Sequence, residues 1–152
     1  MSQNWVLSLR SRERLLGVKP KLAQTVKRAL QLSPIDFGVS EGKRTLERQK
    51  ILVSQGASQT VKSKHLIGEA VDLVGYIDGH VSWEMSIYSK IASAMRQAAT
   101  ENDVSIRWGG AWQVRDIRLH IGNMDEAQDA YIDLRRSQGR SVFLDGPHFE
   151  IS

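Results

Sequence analysis

A histidine and an aspartate stand seven residues apart in Ser63-Lys-His65-Leu-Ile-Gly68-Glu-Ala70-Val-Asp72, and a second histidine closes the chain in Asp145-Gly-Pro-His148-Phe-Glu150. Two imidazoles and one carboxylate are a sufficient set of protein ligands for a catalytic zinc, which keeps its fourth position for water. The sequence has no cysteine. Disulfides and thiolate sites are therefore excluded, and any metal must be held by histidine and carboxylate.

Spacing constrains how these residues meet. On a helix, seven residues span two turns, about 10 Å, too far for both side chains to reach one ion at ~2 Å. A turn over 65–69, permitted by Gly68, followed by a strand over 70–74 would fold Asp72 back beside His65, with Ala70 leaving room. Taken alone, the pair reads more readily as a surface histidine and a strand-end aspartate than as two ligands. His148 adds weight to the metal reading, since on a strand it points the same way as Glu150. Asp145 lies three residues earlier, across a turn expected at Gly146-Pro147, within reach of a water held beside His148. That is what a general base requires. Glu150 is either a competing base or a partner that orients a ligand histidine.

The elements that must position them follow from periodicity and punctuation. A short helix is expected over 11–17 and a firmer one over 20–32, with Leu22, Val26, Ala29 and Leu30 on one face, Pro20 in its first turn and Pro34 past its end. Residues 36–42 read as a strand, and Thr45 caps a helix to about Gln55. Ala70–Ile77 is a second strand, turning at Asp78-Gly79 into His80-Val81. Ser82 is expected to cap the longest helix, 83–101, with Ile87, Ile91, Ala94, Met95 and Ala98 as its buried stripe. A third strand covers 105–108, and a helix covers 125–137 with Ala127, Ala130, Tyr131 and Leu134 inward. Residues 142–144 and 148–151 are strand-like, while 111–122 show no clear period. Helices flanking antiparallel strands predict an α+β fold.

The chain has 152 residues, 41% apolar and 25% charged, with a net charge of +4. One folded domain over 1–152 is expected, with no repeat, linker or separate wall-binding domain. Met1 to Arg14 carry Arg10, Arg12, Glu13 and Arg14 and no unbroken apolar run, so no signal peptide or membrane span is expected. The basic balance favours anionic partners. The basic residues are dispersed among acids without a nucleic-acid-binding motif, so nucleic acid is not expected as the partner. Trp5, Trp83 and Trp108 are expected in the core, and His80 on the surface.

These residues carry a family resemblance. Ser63-x-His65-x-x-Gly68-x-Ala70-x-Asp72 followed by Asp145-x-x-His148 resembles the D-Ala-D-Ala metallopeptidase branch of the LAS superfamily, and in particular phage endolysins that are L-alanyl-D-glutamate endopeptidases. Glu41-Gly-x-Arg44-Thr45, Trp108-Gly-Gly-x-Trp112 and Pro147-His-Phe-Glu150 are similar to that group as well, so the likeness runs from about residue 20 to the end. It implies a small antiparallel sheet with flanking helices, as in hedgehog and D,D-peptidase domains. It implies His65, Asp72 and His148 as zinc ligands, Asp145 as the base, and Arg44 as the residue that polarises the scissile carbonyl. Ser63 and Trp112 would contact substrate. Relatives often have an acid where this chain has Ala111, and the segment 113–142 looks longer than in the compact phage enzymes, as a lid or surface insertion.

The activity implied is hydrolysis of the L-Ala–D-Glu bond in the peptide stem of peptidoglycan by a monomer. The same scaffold could instead serve a D-Ala-D-Ala carboxypeptidase or a zinc-stabilised wall-binding module. The absence of an expected leader fits a lysin made in the host cytoplasm and released to the wall through a holin.

Overall fold

The computed structural model describes residues 5–58 and 62–152. Five helices, α1 (Leu9–Arg14), α2 (Pro20–Leu32), α3 (Leu46–Ser54), α4 (Met85–Asn102) and α5 (Met124–Ser137), accompany five strands. The strands are β1 (Asp36–Glu41), β2 (Ala70–Ile77), β3 (His80–Ser82), β4 (Ile106–Gly109) and β5 (Asp145–Ile151). Short 3-10 turns cover Lys64–Ile67 and Ile117–Leu119. The strands form one antiparallel sheet in the order β1-β2-β5-β4, with β3 pairing the far end of β2. The expected α+β class with a small antiparallel sheet is what the chain adopts.

The core lies between the sheet and the paired helices α2 and α4. Leu22, Val26, Ala29 and Leu30 meet Ile91, Met95 and Ala98, all essentially without solvent contact. Burying the valine, leucine, isoleucine and methionine among them contributes about 1.5–3 kcal/mol each before the entropy of ordering them is subtracted. Trp108 and Phe149 stack from neighbouring strands, and the Trp108 Nε1–H donates to the Gly146 carbonyl at 2.7 Å. The polar end of that indole therefore holds the start of β5 in place.

Several expectations change. α1 starts earlier than read, at Leu9, because the Ser8 side chain accepts from Ser11 N. α4 begins at Met85, flanked by Glu84; Ser82 is still paired with Gly75, so the hairpin takes it as a strand residue. The inward face of α5 is rotated to Met124, Ala127, Gln128 and Tyr131, leaving Ala130 and Leu134 outward. Trp83 is not a core residue: it is 64% exposed and lies flat against Tyr88.

The turn expected at Gly146-Pro147 is absent, and residues 142–144 are not a strand. β5 starts at Asp145 and runs without a break to Ile151. Its register with β4 jumps from Trp108↔Phe149 to Gly109↔Asp145, so 146–148 bulge out of that ladder. Pro147 lacks an N–H and is accommodated there because the bulge asks for none. The bulge also needs Gly109, since a Cβ at that position would lie 2.2 Å from the Asp145 carbonyl oxygen.

Candidate metal centre and cleft

Asp72 lies in the middle of the site because β2 pairs on both sides. Its register partners are Glu41 on β1 and His148 on β5. His65 arrives from the 3-10 turn before β2, where Ser63 accepts a hydrogen bond from His65 N. Gly68 then reverses the chain at φ +73, with its α-carbon so close to the Gly17 carbonyl that a Cβ would sit 2.3 Å from that oxygen. The turn-then-strand geometry expected from the spacing is therefore present.

One ligand atom from each of His65, Asp72 and His148 lies within 4.8 Å of the others, and this group could hold a metal ion. The hydrogen bonds around the rings prepare them for it. His65 Nδ1 is 2.8 Å from the Gly42 carbonyl, which can only accept, so that nitrogen carries the proton. Nε2 is left as a lone pair, buried without a hydrogen-bond partner, 3.3 Å from Asp72 Oδ1. His148 is arranged the opposite way round: Nε2 donates to Glu150 at 2.8 Å and Nδ1 faces Asp72 Oδ1 at 3.1 Å. Two ring nitrogens thus converge on one carboxylate oxygen, an arrangement that calls for a cation or a proton between them. The donor set of two imidazoles and a carboxylate suits zinc, and the orphaned Nε2 fits a ligand atom.

Charge in the metal-free protein follows the same logic. Burial opposes a charge on His148, but its hydrogen bonds to the Asp72 and Glu150 carboxylates outweigh it and push the imidazole up to about 10. Burial also opposes ionisation of Asp72, yet the His148 hydrogen bond and the two histidines beside it hold its carboxyl well below the usual range. Asp145 behaves differently. Burial, then the negative charge of Asp72, raises its carboxyl above the ordinary value. A carboxylate that is readily protonated is suited to accepting a proton and handing it on.

Arg44 is nearly buried. Its terminal nitrogens reach Gln49 Oε1 and Glu41 Oε2, both at 2.6 Å, and Asp72 Oδ2 at 3.4 Å, while Nε is buried without a partner. It therefore anchors the second oxygen of Asp72. Trp112 tilts against the His148 ring at 5.5 Å between centroids, stacks on Phe143, and donates from Nε1 to the Phe143 carbonyl at 3.0 Å. Arg107 lies over the Trp112 ring, 5.4 Å from its centroid, and donates to the Trp112 carbonyl. All seven residues singled out from sequence (Arg44, Ser63, His65, Asp72, Trp112, Asp145 and His148) line one cleft of about 740 Å³.

Sequence reasoning missed much of the cleft wall. Tyr131, Arg135 and Phe143 come from α5 and the segment after it, and Arg107 from β4. α5 is neither a loose lid nor a surface appendage, because Met124 and Ala127 are fully buried and an Asn123–Glu126 capping box starts it. Its helical period was legible, but nothing in the spacing showed that it faces the histidines. Ala111, in the place where relatives often have an acid, is wholly buried in the core cluster.

The comparisons with known proteins agree with this geometry. The family model for phage L-alanyl-D-glutamate peptidase matches residues 3–152. The L-alanyl-D-glutamate peptidase of Escherichia phage T5 is 35% identical over 106 residues, covering 67% of this chain and 77% of the relative. That of Listeria phage A118 is 35% identical over 78 residues, 51% of this chain and 27% of the longer relative. The crystal structure of the Serratia marcescens L-Ala D-Glu endopeptidase ChiX superposes with a TM-score of 0.72 at 36% identity, covering 98% of this chain and 92% of that one. With a matching fold, a matching family over nearly its whole length and a His-Asp-His cluster in its cleft, the chain belongs to the phage L-alanyl-D-glutamate peptidase family and is a peptidase of that type.

Proposed function

We propose that this protein is a zinc-dependent endopeptidase that cuts the L-Ala–D-Glu bond in the peptide stem of peptidoglycan. The observation that carries the reading is the convergence of His65 Nε2, His148 Nδ1 and Asp72 Oδ1, with the other nitrogen of each ring already bonded to an oxygen. His65, Asp72 and His148 would hold the metal. When bound, zinc supplies a positive charge and a water acidic enough to ionise near neutral pH.

The protein's own groups do the rest. Asp145 accepts the proton of the attacking water and returns it to the leaving amine, the role to which its raised pKa is suited. Arg44 places fixed positive charge beside Asp72, where negative charge develops on the substrate carbonyl oxygen. Glu150 holds the His148 ring in the tautomer that frees Nδ1. Trp112 and Phe143 offer a flat apolar platform, and Ser63 a polar rim, for the peptide.

The biological setting proposed is host lysis by a monomer released from the host cytoplasm through a holin, with the +4 charge aiding retention on anionic wall polymers. Among the described residues no helix is long and apolar enough to cross a membrane. The test is digestion of purified peptidoglycan by wild type, by Asp145→Ala, and by chelated protein with and without added zinc, with new termini identified by mass spectrometry. New alanine carboxyl ends from wild type alone and from the zinc-restored sample are expected. Equal inertness of all samples with zinc still bound would overturn the enzymatic reading in favour of a structural site.

A further inference from the structure

The cleft is lined by charges of two kinds. Its acids are committed: Glu41 to Arg44, Asp72 to the two histidines and Glu150 to His148, while Asp145 faces the same histidines. Among its arginines, Arg44 is paired with acids and Arg107 is drawn to the Trp112 carbonyl. Arg135, from the last turn of α5, differs from both. Its Nε donates to the Ser141 carbonyl at 2.8 Å, and no acid lies within ion-pair distance of it among the described residues. The bond from Nε fixes the guanidinium plane and leaves the two terminal nitrogens as a fork.

Tyr131 stands one helical turn before Arg135, and its hydroxyl accepts from Phe143 N at 3.3 Å. Residues four apart share a helix face, so this face holds the 141–143 segment at two points. The fork of Arg135 is therefore presented from a braced wall, in a cleft that also contains the histidines.

We infer that Arg135 is a specificity-determining residue that receives the free carboxylate of the glutamate on the leaving side of the scissile bond. The inference rests on the endopeptidase reading above. A glutamate acylated on its amine by alanine has two carboxyl groups. Whichever carries the stem onward, the other is an anion close to the scissile nitrogen unless it is amidated. A planar guanidinium fork matches a carboxylate through two parallel hydrogen bonds, and a neutral amide cannot accept both.

The test uses two stem peptides that differ only in that carboxyl, free in one and a primary amide in the other. Wild type should prefer the free acid in kcat/KM by on the order of tenfold or more. Arg135→Gln should bring the ratio to about one by losing rate on the acid alone, and Arg135→Lys should keep part of the preference. If Arg135→Gln leaves the ratio unchanged, or slows both peptides equally as loss of the Ser141 brace would, the inference is wrong. Binding of both peptides to Asp145→Asn, with and without Arg135→Gln, separates this from the reaction itself. Discrimination in binding without cleavage by wild type would sink the endopeptidase reading and leave Arg135 only as a receiver of that carboxylate. Cleavage with discrimination that survives Arg135→Gln would do the reverse.

Discussion

Asp72 and Asp116 are both aspartates whose pKa is lowered by their partners, and they are built in opposite ways. At Asp116 every demand is met. Arg118 donates to it from Nε and from Nη2 at 2.9 Å, and Arg118 N donates to Oδ1 at 3.0 Å, capping a 3-10 turn. At Asp72 two ring nitrogens crowd one oxygen, one of them buried without a hydrogen-bond partner, and a further acid with a raised pKa stands nearby. The first cluster is complete as it stands. The second becomes complete only with something added, and that difference separates a structural ion pair from a site.

Breaking the incomplete cluster should produce the largest effects. Asp145→Asn is expected to lower kcat/KM by about 10²–10⁴-fold with the fold unchanged by circular dichroism. An effect below tenfold would remove Asp145 from the role of base. Glu150→Gln should weaken zinc binding about 10–100-fold in a competitive chelator titration, because the His148 ring exchanges a charged acceptor that fixes its tautomer for a neutral amide. Breaking the complete cluster should affect stability alone. Asp116→Asn should cost about 1–3 kcal/mol in denaturant unfolding and leave peptide cleavage within error of wild type.

The sharpest contrast, and the smallest in size, is in pH. The folded pKa of Asp116 is depressed: burial resists ionisation, but the Arg118 hydrogen bonds prevail. Its contribution is therefore present above the unfolded value of 3.8 and lost as pH falls through the folded one, so wild type and Asp116→Asn should converge in acid. Asp145 has the opposite sign. Its raised pKa means that ionisation opposes folding once pH passes above the unfolded value. Metal-free Asp145→Asn should then melt higher than metal-free wild type at neutral pH, with the gap closing in acid. A lower melting temperature at neutral pH would contradict the buried, charge-repelled setting of Asp145.

The helices and the turn at Gly68 are legible in the sequence because each rests on a local rule, whereas the His-Asp-His cluster, joined across 76 positions, is legible only through the family resemblance. Leu22, Val26, Ala29 and Leu30 repeat at helical spacing, and Gly68 must be glycine where the chain reverses against Gly17. The start of β5 was misread for a non-local reason. Gly146-Pro147 is ordinarily a turn signal, but here Gly109 and the Trp108 indole bond hold those residues as a bulged strand. Trp83 was misjudged because its flat packing on Tyr88 leaves most of the ring in solvent. The α5 wall of the cleft was illegible because which helix face lies beside the histidines is decided by tertiary packing, not by period.

The pairing of Asp72 with His148 bridges 76 positions of chain, and the strand that supplies His148 comes last in the fold. Such a contact is expected to form late, after the cost of closing a long loop has been met. Assembly of the site is therefore a report on the folding of the whole sheet. If the proposed mechanism holds, a chain halted before β5, with His65 and Asp72 but neither His148 nor Asp145, would be catalytically silent at every stage of its synthesis up to that strand.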